Sequence, residues 1–153
     1  MKKIAVIGAG AWGTALAITA HNAGNQVIIW AFEEDTVNEI NEAHRTMYLP
    51  SAHLPESLKA TANMQEALAD ADFVLFATPA QFNRSVFSQM HPYLKDETPL
   101  VLCAKGIELK ELLMFVLDLF LEQLHLTKAL FSVQSLLRKE QEVFHLSNKD
   151  AFG

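Results

Sequence analysis

Lys3-Ile4-Ala5-Val6-Ile7-Gly8-Ala9-Gly10-Ala11-Trp12-Gly13 joins a short, nearly continuous β-branched run to a glycine turn. The run from Lys3 to Gly8 suits a strand buried on both faces of a parallel sheet. Ala11 to Ala23 then supplies helix formers until Gly24-Asn25 stops them, and Gln26 to Phe32 is a second Val/Ile/aromatic run. The opening is therefore strand, glycine turn, helix, strand, which is a βαβ unit. In that setting the spacing Gly8-x-Gly10-x-x-Gly13 acquires a physical meaning. Gly8 permits the tight turn, Gly10 lets a pyrophosphate approach the backbone, and Gly13 lets helix pack on strand. The helix starting near Ala11 would aim its unpaired N–H groups and positive dipole end at that pyrophosphate. A glycine-rich turn without a ligand is the plainer alternative, and the flanking strand, helix and second strand count against it.

Working outward, Glu33 to about His44 reads as a polar-faced helix, and Pro50 and Pro55 oppose regular structure between Met47 and Pro55. Asn63 followed by Glu66 resembles a capping box ahead of a short helix ending near Asp70. Asp72 to Ala77 is the third strong strand signal. Pro79 ends it, Ala80 to His91 is expected to be helical, and Thr98 to Ala104 returns to strand. Glu108 to His125 reads as a long helix and Lys128 to Val133 as one more strand. The alternation predicts a Rossmann-like, doubly wound α/β fold, a parallel sheet with helices on both faces. Ligands on such sheets gather at the carboxyl ends of the strands, so the residues just after each strand are the candidates.

At 153 residues, half of them apolar, the chain can bury one sizeable core. Twelve Lys and Arg against eighteen Asp and Glu leave a net charge of −6, with no basic block to track nucleic acid. The single cysteine, Cys103, cannot form an internal disulfide and offers no metal spacing, which fits a reducing, cytoplasmic compartment. Met1-Lys2-Lys3 before an apolar run superficially mimics a secretory signal, but three glycines at fixed offsets suit a phosphate-binding turn better. The most apolar stretch, Leu112 to Leu121, is interrupted by Asp118 and is too short to span a membrane. A helix there would be apolar around nearly its whole circumference, so self-association through it is expected.

After the second strand, Glu33 and Glu34 lie where an acidic residue would accept hydrogen bonds from an adenosine ribose, with no arginine beside them. A carboxylate there would repel a 2′-phosphate and favour NAD over NADP. The same glutamates also suit the first turn of a helix, where acidic groups are favoured anyway. Thr78-Pro79 follows the third strong strand signal, close to where a nicotinamide would lie, although Pro79 equally reads as an ordinary strand stop. Lys105, after the next strand, could bind a substrate phosphate or sit as a solvated surface lysine. The histidines show neither metal spacing nor pairing with a nucleophile, and no metal site is expected.

With these residues in hand, the chain resembles the N-terminal domain of bacterial-type NAD(P)-dependent glycerol-3-phosphate dehydrogenases from Met1 to about Val133. Ile7 to Ala17, Tyr48-Leu49-Pro50, Phe76 to Pro79 and Ala104 to Glu108 carry the likeness. Trp12 inside the glycine motif together with Ala104-Lys105-Gly106-Ile107-Glu108 is more specific than the glycines. Those two phrases also argue against another dehydrogenase on the same fold, such as a ketopantoate reductase. The resemblance implies cofactor contacts at Ala11, Trp12, Phe32, Glu33, Tyr48 and Lys105, beside Gly8, Gly10 and Gly13, with Lys105 and Ser135 at the substrate. It implies reversible hydride transfer between sn-glycerol 3-phosphate and dihydroxyacetone phosphate, feeding phospholipid synthesis.

Two departures qualify it. The family's substrate motif Ser-Gly-Pro-Ser-Phe-Ala reads Ser132-Val133-Gln134-Ser135-Leu136-Leu137 in this chain. Val133 replaces a glycine that allows close backbone approach, and Leu137 replaces a small residue. The family also continues into a helical domain that carries a catalytic lysine, and no residue up to Gly153 can be assigned that role. The expected organisation is a dinucleotide-binding domain over 1–133 and a divergent tail over 134–153, without the substrate domain. The isolated chain is expected to bind dinucleotide weakly and to show no detectable reduction of dihydroxyacetone phosphate.

Overall fold

The computed structural model describes residues 1–95 and 97–103. Among the described residues five strands form one parallel sheet: β1 (Lys3–Ile7), β2 (Gln26–Trp30), β3 (Lys59–Thr61), β4 (Phe73–Phe76) and β5 (Leu100–Leu102). Their spatial order is β3-β2-β1-β4-β5, so β1 lies at the centre and the chain reverses direction across the sheet after β3. Four α-helices connect them: α1 (Ala11–Asn22), α2 (Glu34–Ala43), α3 (Met64–Leu68) and α4 (Asn83–Met90). This is the Rossmann-like doubly wound arrangement that the alternation of strands and helices called for.

Both faces of the sheet are covered, which explains why its strands are apolar at successive positions rather than at alternate ones. On one face Ala5 and Ile7 of β1, Trp30 of β2, and Val74 and Phe76 of β4 pack with Met64, Leu68, Phe87 and Met90 from α3 and α4. Phe76 and Phe87 meet edge to face at 6.3 Å. On the other face Val6, Val27 and Ile29 pack with Ala17 of α1, Ile40 of α2, and Leu54 and Leu58 from the connection into β3. The period of two along each strand thus divides its side chains between two cores.

Strand β3 escaped the sequence reading, which made Asp72 to Ala77 the third strand. It is three residues long and, among the described residues, lies at the sheet edge, where it pairs with Ile28 to Trp30. The capping box at Asn63 is only half made. Asn63 Oδ1 accepts the Glu66 N–H at 3.2 Å, but the Glu66 carboxylate takes the Thr61 hydroxyl instead of returning to the Asn63 N–H. That N–H donates to Thr61 Oγ1 at 3.0 Å, so the last residue of β3 supplies what the box would have supplied. The expected helix over 80–91 divides into a 3-10 turn (Ala80–Phe82), α4 and a second 3-10 turn (His91–Tyr93). The expected helix over 108–125 and strand over 128–133 lie outside the described residues.

Candidate functional site

The carboxyl ends of β1, β2 and β4 open into one cleft of about 420 Å³, and its walls are mostly apolar. Gly8, Ala9 and Gly10 form its floor beyond β1. Ala31, Phe32 and Glu33 follow β2, Thr36 and Tyr48 close one side, and Thr78 and Pro79 follow β4. Phe82, Ser85, Val86 and Gln89 form the opposite wall.

Each glycine of the motif has a distinct constraint. Gly8 adopts φ +117°, in the region that disfavours side chains, and a Cβ there would stand 2.8 Å from the carbonyl oxygen of Ala77. A Cβ on Gly13 would overlap the carbonyl oxygen of Gly8 at 1.9 Å, so its bareness lets α1 lie against the end of β1. Gly10 differs: a Cβ there would meet nothing within 4 Å. Its backbone is extended, with φ −68° and ψ 178°, which any residue can adopt. None of the described residues therefore requires glycine at position 10, whereas a ligand lying on the backbone would.

Gly10 is also the N-cap of α1 and brings no side chain to that end. The Thr14 N–H bonds the Gly10 carbonyl at 2.9 Å, and the N–H groups of residues 11–13 have no acceptor within the helix. No acidic residue sits in the first turn. The result is an uncapped positive helix end beside a cleft, the electrostatic condition for an anion.

At the end of β2, Glu33 is held in place. Its Oε2 accepts the Tyr48 hydroxyl at 3.0 Å and the Thr36 hydroxyl at 3.3 Å. The hydrogen bond to the Glu33 carboxylate and the like charge a phenolate would carry push Tyr48 above its ordinary pKa of 10.0. Phe32 is 77% exposed at the rim, edge-on to Trp30 at 6.4 Å, and Phe82 is half exposed across the cleft. Exposed aromatics around a concave apolar site are the mark of a flat ligand.

The structure brings Gly8, Gly10, Phe32, Glu33 and Tyr48 together around the cleft. Ala11 and Trp12 begin the helix beside it, and the Trp12 side chain turns away so that Nε1 donates to the Cys103 carbonyl at 2.8 Å. Lys105 and Ser135 lie outside the described residues. The sequence reading missed Phe82, Ser85, Val86 and Gln89 of the far wall, whose only signal is a helical spacing of three and four residues across the 3-10 turn and α4, with polar Ser85 and Gln89 among them. It also read the histidines as unpaired with any nucleophile. In the structure His21 Nε2 lies 2.7 Å from Ser57 Oγ, because the last turn of α1 abuts the connection into β3. Among the described residues the buried His21 Nδ1 has no hydrogen-bond partner, so none of their carboxylates orients that ring, and the pair sits at the end of α1 opposite the cleft. Among the described residues no three His, Cys, Asp or Glu side chains could hold a metal ion, and no helix is long and apolar enough to cross a membrane.

Comparison with known proteins points to one family. Residues 3–134 match the family model described as NAD-dependent glycerol-3-phosphate dehydrogenase N-terminus. The chain is 49% identical over 108 residues to the glycerol-3-phosphate dehydrogenase [NAD(P)+] of Parvibaculum lavamentivorans, covering 70% of this chain and 32% of that protein. It is 42% identical over 114 residues to the protein of the same name from Bacillus subtilis, covering 74% of this chain and 33% of the other. Among solved structures, glycerol-3-phosphate dehydrogenase from Coxiella burnetii superposes with a TM-score of 0.70 at 31% identity, over 76% of this chain and 37% of that one. The chain thus spans about a third of the length of the curated relatives it matches.

Proposed function

The chain belongs to the NAD-dependent glycerol-3-phosphate dehydrogenase family, and on that premise we propose that its cleft binds NAD or NADP for reversible hydride transfer between sn-glycerol 3-phosphate and dihydroxyacetone phosphate. Residues 1–133 serve as the cofactor-binding domain. The observation that carries the reading is Gly10, a glycine that no contact among the described residues requires, at the N-terminus of a helix on the cleft floor that has no side-chain cap. The pyrophosphate lies there on the first-turn N–H groups. Phe32 and Tyr48 flank the adenine, and Glu33 accepts from the adenosine ribose through the oxygen that Tyr48 and Thr36 leave free. When bound, the nicotinamide supplies the hydride acceptor or donor. Lys105 and Ser135 hold the substrate phosphate and hydroxyls.

The preference is for NAD. A 2′-phosphate at this end would face the Glu33 carboxylate, and none of the described residues lining the cleft is a lysine or arginine. A reducing, cytoplasmic setting suits the one unpaired cysteine, and self-association through Leu112 to Leu121 suits that stretch's apolar character. Titrating the purified protein with NADH and NADPH tests the reading. Tighter binding of NADH is expected; tighter NADPH would overturn the preference, and binding of neither would overturn the function.

A second reading, dinucleotide binding without turnover, is favoured by one observation. Among the described residues the only ionisable groups lining the cleft are Glu33 and Tyr48, both at the adenosine end, so none of the described residues stands near the substrate end as a proton acceptor. Loss of general-base assistance costs roughly 10²- to 10⁴-fold in rate. Oxidation of NADH by the chain in the presence of dihydroxyacetone phosphate would exclude this second reading.

A further inference from the structure

The turn after β4 contains a buried polar pair that the family reading does not use. Thr78 and Asn83 are 5% and 3% exposed, and Thr78 lines the cleft. One terminal atom of the Asn83 amide lies 3.1 Å from the Thr78 carbonyl oxygen and 3.2 Å from the Pro79 carbonyl oxygen, with Thr78 Oγ1 closer still. Carbonyl oxygens only accept, so that atom is the nitrogen. An amide nitrogen carries two hydrogens and cannot accept. The Thr78 hydroxyl proton is therefore not directed at Asn83, and among the described residues its oxygen has no other hydrogen-bond partner. A hydroxyl donor without an internal acceptor, on a nearly buried residue, costs free energy unless something in the cleft takes the proton.

We infer that Asn83 sets the polarity of the Thr78 hydroxyl so that it donates into the cleft, to a ribose oxygen in the nicotinamide half of the dinucleotide. The inference rests on the cofactor reading above. Its location follows from the sheet order. Glu33 follows β2, the glycine turn follows β1 and Thr78 follows β4, three adjacent strands with Thr78 about 10 Å from the Glu33 end at ordinary strand spacing. With the adenosine ribose at β2 and the pyrophosphate at β1, the second ribose falls at β4. Thr78 is thus a binding residue and Asn83 a positioning residue.

The test compares NADH, ADP-ribose, which keeps the second ribose, and ADP, which lacks it, on the full chain. Thr78→Val, which keeps the shape but removes the donor, is expected to weaken NADH and ADP-ribose roughly threefold to tenfold more than ADP. Thr78→Ser should restore both. Asn83→Asp replaces the donor by an acceptor that draws the hydroxyl proton back, so it should weaken ADP-ribose as Thr78→Val does, with no further loss in the double variant. If Asn83→Asp fails to fold, the comparison of Val with Ser at position 78 still decides. Equal weakening of ADP and ADP-ribose by Thr78→Val, or no weakening of either, overturns the inference and leaves the cofactor reading intact. Failure of the unaltered protein to bind any of the three overturns both.

Discussion

The carbonyl oxygen of Gly8 occupies the space that a Cβ on Gly13 would need, 1.9 Å from its ideal position. The end of β1 and the first turn of α1 are in backbone contact, and that contact aims the helix end at the cleft. Gly13→Ala is therefore expected to push α1 off the sheet and to cost about 1–3 kcal/mol, the range for overpacking a tight interior. Urea unfolding followed by circular dichroism measures this. An unchanged midpoint would show that the helix accommodates the methyl group and that the contact does not fix it.

The Tyr48–Glu33 bond gives a spectroscopic prediction. With two tyrosines in the chain, subtracting the alkaline titration of Tyr48→Phe from that of the unaltered protein isolates the Tyr48 phenol. Its midpoint is expected above 10.0, and Glu33→Gln should bring it down towards that value. The sign for stability follows. Because the folded-state pKa is raised, whatever the bond contributes is present in full below about pH 10 and is lost as pH rises through the folded value. A Tyr48 midpoint at or below 10.0 would mean that the phenol does not donate to Glu33 in solution.

Trp12 Nε1 and the Cys103 carbonyl tie the start of α1 to the end of β5. Burial pushes the Cys103 thiol above its ordinary pKa of 9.0, so it should react slowly with thiol reagents at neutral pH. Trp12→Phe keeps the ring but loses the donor. Faster labelling of Cys103, the chain's single cysteine, is the expected result, by a factor of a few at constant pH. Labelling at the original rate would show that the indole bond does not restrain that strand end.

What could be read from the sequence had a repeating physical signature. Strands β1, β2, β4 and β5 are apolar because both sheet faces are covered, and α1 is bounded by glycines with separate causes at each end. Strand β3 has no such signature. Among the described residues Lys59-Ala60-Thr61 pairs with β2 and no other strand, after a proline-interrupted connection, and its register is imposed by β2 rather than by its own residues. At the site, Gly8, Gly10 and Glu33 were legible because each follows a strand at a fixed offset. Phe82 was not, since it reaches the cleft through the angle at which the turn before α4 meets the sheet, and the Asn83 amide was not, since that same turn brings its partners Thr78 and Pro79 to it; spacing alone encodes neither. The turning of the Trp12 indole towards Cys103 was equally hidden, because it joins residues 91 positions apart.

A cleft shaped for a dinucleotide needs Gly10 bare for the ligand alone, because no contact among the described residues needs glycine there. Gly10→Ala should unfold within about 0.5 kcal/mol of the unaltered protein, as a substitution that meets no neighbour does. Its affinity for NADH, followed by calorimetric titration beside the unaltered protein, should fall by roughly tenfold or more as the methyl group displaces the pyrophosphate from the backbone. Equal NADH affinity in the two proteins would mean that no pyrophosphate lies on the Gly10 backbone.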